Sequence, residues 1–525
     1  LTRPNLDPTD RTEARPGARR APLPIDAPHP SNRVPPFGSR MMPMEPHGHS
    51  HDHAFRHLNA TDREGLMLVT RRNMLKAGMA GIAGLTLPEL LRQRSDASDA
   101  GRPIPGRKAV ILLWMAGGPS QIDTWDPKPD RPYENRGPFD VIQTALPGVH
   151  ICEHLPKQAA MLDKFTILRS VDAAHSNHEP NKVFQTGNLE AAPRINPRGD
   201  SYPAIGSVVA KHRGANHPGM PPYVAFQTSR THIAYAGVLG KEYDPFIANQ
   251  AARLPIYTNV GVDTGRMTNA ELFNLPSGLT EQRIRGRRSL LEQFDDTRRT
   301  IESSPSVDAM DDYGRQAIEL IAGRRARDAF DLEREPQEVR DRYGKHLWCQ
   351  QALLARRLVE AGVSFVTLDL SYHTASGTWD THGDNIPPYG GISKGLGPLL
   401  PLFDHLITTL VSDLERLGLL DDVLVIAQGE FGRTPQLGTQ GSTDGRNHWT
   451  GVMSMCMAGG GLNHGQVIGA SMPDGGHIKD RPVTPGDLAA TIYKHMGVPL
   501  DAHYLEKDGR PRAIVDRGAP IAELF

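Results

Sequence analysis

Short apolar runs, rich in branched residues, punctuate this chain, and several end in glycine or in a cluster of polar groups. AVILLWM, ending at Met115, precedes Gly117-Gly118-Pro119. That pattern predicts a strand buried on both faces and then a sharp turn. FTILRSV (Phe165–Val171), YVAF (Tyr223–Phe226), VSFVTLDL (Val363–Leu370), VLVIAQ (Val423–Gln428) and SMCMA (Ser454–Ala458) are of the same kind. Helical spacing fills much of the rest. Leu347, Leu354, Leu358 and Ala361 repeat within a helix expected from about Pro336 to Ala361, which Gly362 is placed to end. Phe403, Leu406, Leu410, Leu414 and Leu417 form one stripe of a helix from about Leu400, ended by Gly418. A last helix starts at a Thr484 cap with Pro485 in its first position. Strands alternating with helices predict an α/β fold: a central, largely parallel sheet with helices on both faces. The charged stretch at about 280–362 predicts a mainly helical flank or cap. In it, RIRGRRSLLEQFDDTRR alternates sign as a solvated helix face does.

The N-terminal part has a different character. Residues 1–66 are rich in Pro, Arg, Asp and His without apolar periodicity, which predicts a disordered leader. Met67 offers a second start that would omit it. The leader's HGHSHDH tract, His47 to His53, has the composition of a chelating tail. In residues 67–104, Arg71-Arg72 precede a weakly apolar run from Met74 to Leu91. This resembles a twin-arginine export signal and predicts a periplasmic or cell-envelope protein. The run is too short and too polar for a stable membrane span. Residues 105–525 form the expected folded domain.

Composition narrows the function. A formal net charge of −1 provides no field to recruit nucleic acid. Cys152, Cys349 and Cys456 are odd in number and far apart, so they indicate buried thiols rather than a disulfide framework.

Ligands of open α/β sheets bind beyond the carboxyl ends of the strands. The residues that follow the apolar runs are Ser120 and Asp123, then His175, Ser176 and His178, then Asp380 and His382, then Glu430, and finally His448. In an extended backbone, Asp380 and His382 point to the same side and can face one cation. Histidine with carboxylate suits zinc, and a more oxygen-rich set suits manganese, magnesium or calcium. Asp369 and His373 offer a competing D-x3-H spacing. Arg433 can hold a substrate anion with its planar fork. Alternatively, Arg433 and Arg446 form structural ion pairs with neighbouring Asp residues.

KAVILLWMAGGPSQIDTWDPKP, AFDLEREPQEVRDRYG, LLARRLVEAG, WDTH, GEFGRTP, GRNHW and AGGG, together with the twin-arginine leader, resemble the family catalogued as domain of unknown function 1501, in its planctomycete-type version. The resemblance runs from about Arg71 to the C terminus. It implies an alkaline phosphatase-like sandwich of the phosphatase and sulfatase superfamily, and PVTPGDLAATIYKHMGVP is similar to the end of sulfatase-like domains. Carried over, Asp380 and His382 are metal ligands through the DTH motif, and His448 matches a later metal histidine. Glu430 stands at the Asp of an Asp-His pair, with Phe431 in place of the His, and Asn447 stands where the family more often has Asp. Gly117-Gly118 occupy the place of a metal-binding Asp, for which Asp123 would compensate. His175 and His178 would complete the metal set. No sulfatase nucleophile motif is present, and Ser176 lies near the phosphatase nucleophile position. The expected activity is metal-dependent hydrolysis of an anionic small-molecule or polysaccharide ester. The alternative is a cell-envelope binding or scaffold protein with degenerate metal chemistry.

Overall fold

The computed structural model describes residues 107–176, 182–192, 196–227, 232–250, 324–371, 379–383, 390–438, 441–506, 508–515 and 517–525. The leader, the HGHSHDH tract, the twin-arginine segment, RIRGRRSLLEQFDDTRR, His178 and His373 lie outside the described residues.

The AVILLW run forms β1 (Ala109–Trp114), and every one of its residues is buried. Its side chains alternate between two cores, as a strand's must. Ala109, Ile111 and Leu113 enter one, and Val110, Leu112 and Trp114 the other. The strands around it are β2 (Phe165–Val171), β3 (Tyr223–Gln227), β4 (Phe246–Gln250), β5 (Phe365–Asp369), β6 (Val423–Gln428), β9 (Met453–Gly459) and β10 (Gln466–Ile468). They make an eight-stranded sheet in the order β10-β2-β9-β6-β1-β5-β3-β4. β1 pairs in parallel with β5 on one side and β6 on the other. β9 alone runs against its neighbours, β2 and β6. The expected largely parallel sheet is therefore mixed by a single reversed strand. The edge strands β4 and β10 carry no strand signal in the sequence, since FIANQ and QVI are short and partly polar.

Helices cover both faces. On one lie α3 (Leu347–Ala361) and α4 (Gly397–Arg416), and on the other α1 (Ile205–Arg213) and α5 (Pro485–Met496). α4 buries Phe403, Leu406, Ile407, Leu410 and Leu414, the stripe its spacing predicts. α5 starts in a capping box: the Thr484 hydroxyl accepts from Asp487 N–H, and Asp487 accepts from Thr484 N–H.

The helix expected from Pro336 to Ala361 is two helices, α2 (Gln337–Tyr343) and α3. Gly344, at φ 92°, ends the first. His346 opens the second, its ring nitrogen accepting from Trp348 N–H at 3.2 Å. A buried ionic cluster then ties α2, α3 and α4 together. Arg356 Nε donates to Asp413 at 2.9 Å, its other nitrogens reach Glu335 at 3.0 and 2.8 Å, and Tyr343 Oη donates to Asp413 at 3.2 Å. Cys152, Cys349 and Cys456 are free and buried, and burial raises each thiol's pKa to about 12. Among the described residues, no helix is long and apolar enough to cross a membrane.

α5 also packs a histidine against β1. His495 is buried, and its Nε2–H donates to Ala109 O at 3.0 Å. Burial pushes its pKa from the usual 6.5 down to about 4; Lys108 and Arg213 act in the same direction, opposed by Asp422 and the Ala109 carbonyl. The native ring stays neutral at pH values where the unfolded ring is protonated. Between pH 6.5 and 4 the unfolded chain thus binds more protons, and stability falls as pH falls through that window, by ~3 kcal/mol in all. Urea unfolding at pH 7 and pH 4.5 is expected to show a shallower acid-side loss in His495→Gln than in the parent protein.

Candidate metal centre

Because the other seven strands of the sheet run parallel, their carboxyl ends share one edge. Reversed β9 brings its amino end to that same edge. The segment just before β9 therefore joins the loops that leave β1, β5 and β6. A two-residue ladder completes the arrangement: β7 (Gly432–Arg433) pairs antiparallel with β8 (His448–Trp449), setting His448 opposite Arg433.

Asp380, His382 and His448 converge there, each offering a ligand atom within 4.8 Å of the others. His382 Nε2 lies 2.9 Å and His448 Nε2 3.5 Å from Asp380 Oδ1. The two imidazole centroids are 4.5 Å apart. Asp380 is fully buried, whereas the His448 side chain is 37% exposed and marks the side open to solvent. The segment between Trp379 and His382 is held by its backbone. Trp379 N–H donates to Ala116 O at 3.1 Å, and Arg446 N–H to Thr381 O at 2.9 Å. One carboxylate and two imidazoles make a mixed oxygen and nitrogen donor set that fits a divalent transition metal.

Two arginines with zero exposure organise the surroundings. Arg433 donates to Asp380 Oδ1 at 2.5 Å, to Gly118 O at 3.0 Å, to Arg446 O at 3.2 Å and to Gly117 O. Its backbone is held by Gln121, whose side-chain carbonyl accepts Arg433 N–H and whose amide donates to Arg433 O, both at 2.8 Å. The Arg433 fork thus engages Asp380 and main-chain carbonyls. Arg446 does the same for Asp123. Its Nε donates to Asp123 Oδ2 at 2.7 Å, and Ser120 Oγ donates to the same oxygen at 2.5 Å. Asp123 is therefore not one of the clustered ligands. It balances a buried guanidinium that would be costly unpaired.

The glycine pair after β1 has a steric cause. A Cβ on Gly117 (φ 117°) would lie 2.4 Å from Asp380 N, and one on Gly118 (φ 80°) would lie 2.6 Å from the Phe431 ring. The loop passes too close to its neighbours for any side chain. Phe431 is buried, with its ring centroid 4.7 Å from that of His448 and 5.6 Å from Arg433 Cζ.

The remaining expected site residues lie outside the three-ligand group found among the described residues. Glu430 is buried at the mouth of β6 and accepts Gly117 N–H at 2.7 Å. His175, exposed, follows β2 with a left-handed φ of 66°, and Ser176 beside it is buried, its N–H bonded to Ala173 O at 3.0 Å. A buried histidine absent from the sequence reading, His232, sits 2.9 Å from Asp369 and 3.1 Å from Ser371 Oγ. The sequence pairs Asp369 only with His373 by its D-x3-H spacing, and an imidazole arriving from beyond β3 leaves no local signal.

The fold and this cluster define an α/β protein with a histidine and carboxylate centre at the carboxyl edge of its sheet. The chain belongs to the family described as Protein of unknown function (DUF1501), whose profile matches residues 107–525. Similar solved structures include Ps i-CgsB, at 12% identity over 78% of this chain and 75% of that one, with a TM-score of 0.38. The PsFucS1 sulfatase from Pseudoalteromonas sp. is similar at 13% identity over 79% and 72%, TM-score 0.35. The phosphonate monoester hydrolase SpPMH from Silicibacter pomeroyi is similar at 12% identity over 79% and 77%, TM-score 0.29. No curated protein matches the sequence.

Asp380→Asn leaves the Arg433 charge buried without its carboxylate, which is expected to cost about 3–5 kcal/mol. His448→Ala, at a partly exposed ring, is expected to cost less than ~1 kcal/mol. Denaturant midpoints of the two variants check the contrast. Gly117→Ala adds a Cβ against a backbone nitrogen at a positive φ and is expected to lower stability by ~3 kcal/mol or more, or to prevent soluble expression.

Proposed function

We propose that this chain is a metal-dependent hydrolase of an anionic ester, acting at the Asp380–His382–His448 cluster. The observation that carries this reading is the convergence of one buried carboxylate and two imidazoles at the ligand-binding edge of the sheet, with one side open to solvent. Asp380, His382 and His448 would hold the metal, with zinc the first choice from the nitrogen-rich donor set. A divalent ion held there supplies Lewis acidity toward an ester oxygen or a water.

The chain's own residues set the rest. Arg433 fixes the Asp380 carboxylate and neutralises it, both side chains being fully buried. Glu430, pinned by Gly117 N–H, holds the loops after β1 and β6 together beside the centre. Phe431 packs against the His448 ring and limits its rotation. The motif resemblance points to a phosphate or sulfate ester, on a small molecule or a polysaccharide. Ser176 is the candidate nucleophile by that resemblance. The twin-arginine-like segment supports export to the periplasm or envelope. The steric closure around Gly117 and Gly118, with Phe431 where the superfamily places a histidine, favours a second reading: a binding protein that keeps the cation for structure or recognition.

The two readings separate in one experiment. Purified protein is analysed for bound metal and assayed on aryl phosphate, aryl sulfate and aryl phosphonate esters, with His382→Ala and chelator-treated protein as controls. Hydrolysis is expected to fall ~100-fold or more in both controls and to return to the chelated protein on adding zinc or manganese. Metal-loaded protein with no turnover above the His382→Ala control would leave only the binding reading.

A further inference from the structure

We infer that Asp444 is the positioning residue that sets the spacing of His382 and His448, by fastening the segment that carries His448 to the amino-terminal end of helix α4. The consequence for metal binding rests on the Asp380–His382–His448 cluster being a metal centre, as proposed above.

Residues 444–446 lie along residues 381–383. Arg446 N–H donates to Thr381 O at 2.9 Å. A Cβ on Gly445 would fall onto the His382 carbonyl, so the two backbones are in direct contact. His448 comes two residues after Arg446, and its ring centroid stands 4.5 Å from that of His382. The distance between the imidazoles therefore follows from how this segment seats against its neighbour.

Asp444 holds the outer end of the segment. A π-helical turn, Gly391–Leu396, leads directly into α4. Ile392 and Leu396 are fully buried in the same core as the α4 stripe, so this end of the helix is fixed by packing. It donates three hydrogen bonds to Asp444. Ile392 N–H reaches the Asp444 main-chain carbonyl at 2.9 Å, Ser393 N–H reaches Oδ2 at 2.9 Å, and Ser393 Oγ reaches Oδ1 at 3.1 Å. Gly391, at φ 70°, passes so close that a Cβ there would fall onto Asp444 O. The first N–H groups of a helix have no partner within it, and a carboxylate beside them is also favoured by the helix dipole. Asp444 thus caps the helix from a distant loop, and the packed helix in return anchors that loop beside His382.

A carboxylate near a cation site can raise metal affinity by its charge alone, and Asp444→Asn separates charge from positioning. Asparagine loses the charge, yet its carbonyl accepts Ser393 N–H and its amide donates to Ser393 Oγ. The test has two readouts on the full chain. Hydrogen exchange of the metal-free protein follows peptides spanning 444–449 and 109–114, and calorimetric titration follows zinc binding. In Asp444→Ala, exchange over 444–449 is expected to rise ~10-fold or more with 109–114 unchanged, and zinc affinity to fall roughly tenfold. Asp444→Asn is expected to stay within about threefold of the parent protein in both. Parent-like exchange over 444–449 in Asp444→Ala would overturn the inference, and so would faster exchange with unchanged zinc affinity. Zinc binding as weak in Asp444→Asn as in Asp444→Ala would assign the effect to charge and also overturn it. A parent protein that binds no zinc would remove the proposed function, while the exchange comparison still decides what Asp444 holds. If Asp444→Ala does not fold, Ser393→Ala takes its place: it keeps the charge, loses one of the three bonds and is expected to weaken zinc binding about threefold, with unchanged affinity overturning the inference.

Discussion

The buried pair between Arg433 and Asp380 is the interaction on which the functional edge depends. A charged side chain enters a fully buried site only when its partners replace water. Arg433 meets that condition with carbonyls from the loop after β1 and from Arg446, and with the carboxylate from the loop after β5. It therefore locks four chain segments into one arrangement, since any of them moving would strand a charge. The cluster inherits its geometry from that lock. Asp380 is oriented by the guanidinium before any ligand arrives, and His448 is set opposite Arg433 by the short β7–β8 ladder. Pre-orientation of this kind is what lets a small polar cluster bind with little rearrangement.

Arg446 with Asp123 repeats the device one layer away. Its guanidinium also donates to Thr434 O, Pro435 O and Asn135 O, so the pair anchors the β6–β8 loop onto the helix-like turn at Tyr133–Arg136. Two conspicuous arginines near a candidate metal cluster look like anion-binding groups from their chemistry alone. Both are buried, and each is paired with a carboxylate, Arg433 with Asp380 and Arg446 with Asp123. The open side of the centre is the His448 side, where the β8 segment meets solvent.

Much of the fold was legible because buried strands advertise themselves as unbroken apolar runs, and β1, β2, β5 and β6 fall where those runs are. Direction was not legible. A strand buried on both faces shows the same apolar composition whether it runs with or against its neighbours, so nothing in SMCMA marks β9 as reversed. Gly344 was visible in DRYGKHLW, but a lone glycine in a helical pattern is tolerated often enough that the break required the positive φ to be seen. In the site, Asp380, His382 and His448 were legible as residues that follow strands. The partners of Arg433, Arg446 and His232 were not, because they are chosen by contacts across tens to hundreds of residues. The glycine pair was readable as a turn, while its cause, the close approach of the Asp380 backbone, is tertiary.

The reversed strand also imposes an order on assembly. β9 lies inside the sheet, bonded to β2 on one side and β6 on the other, yet it spans Met453–Gly459, far downstream of β2. Until that segment leaves the ribosome, β2 has no hydrogen-bonded route to the β6-β1-β5 portion, although it was made long before. Long-range pairing of this sort is slow because loop closure precedes its reward. His448 is synthesised just ahead of β9, so the nascent chain cannot bring Asp380, His382 and His448 together until the segment before β9 has been made. Assembly of the cluster therefore follows the pairing of β9, and a chain interrupted before β9 would retain an exposed β6 edge for chaperones to shield.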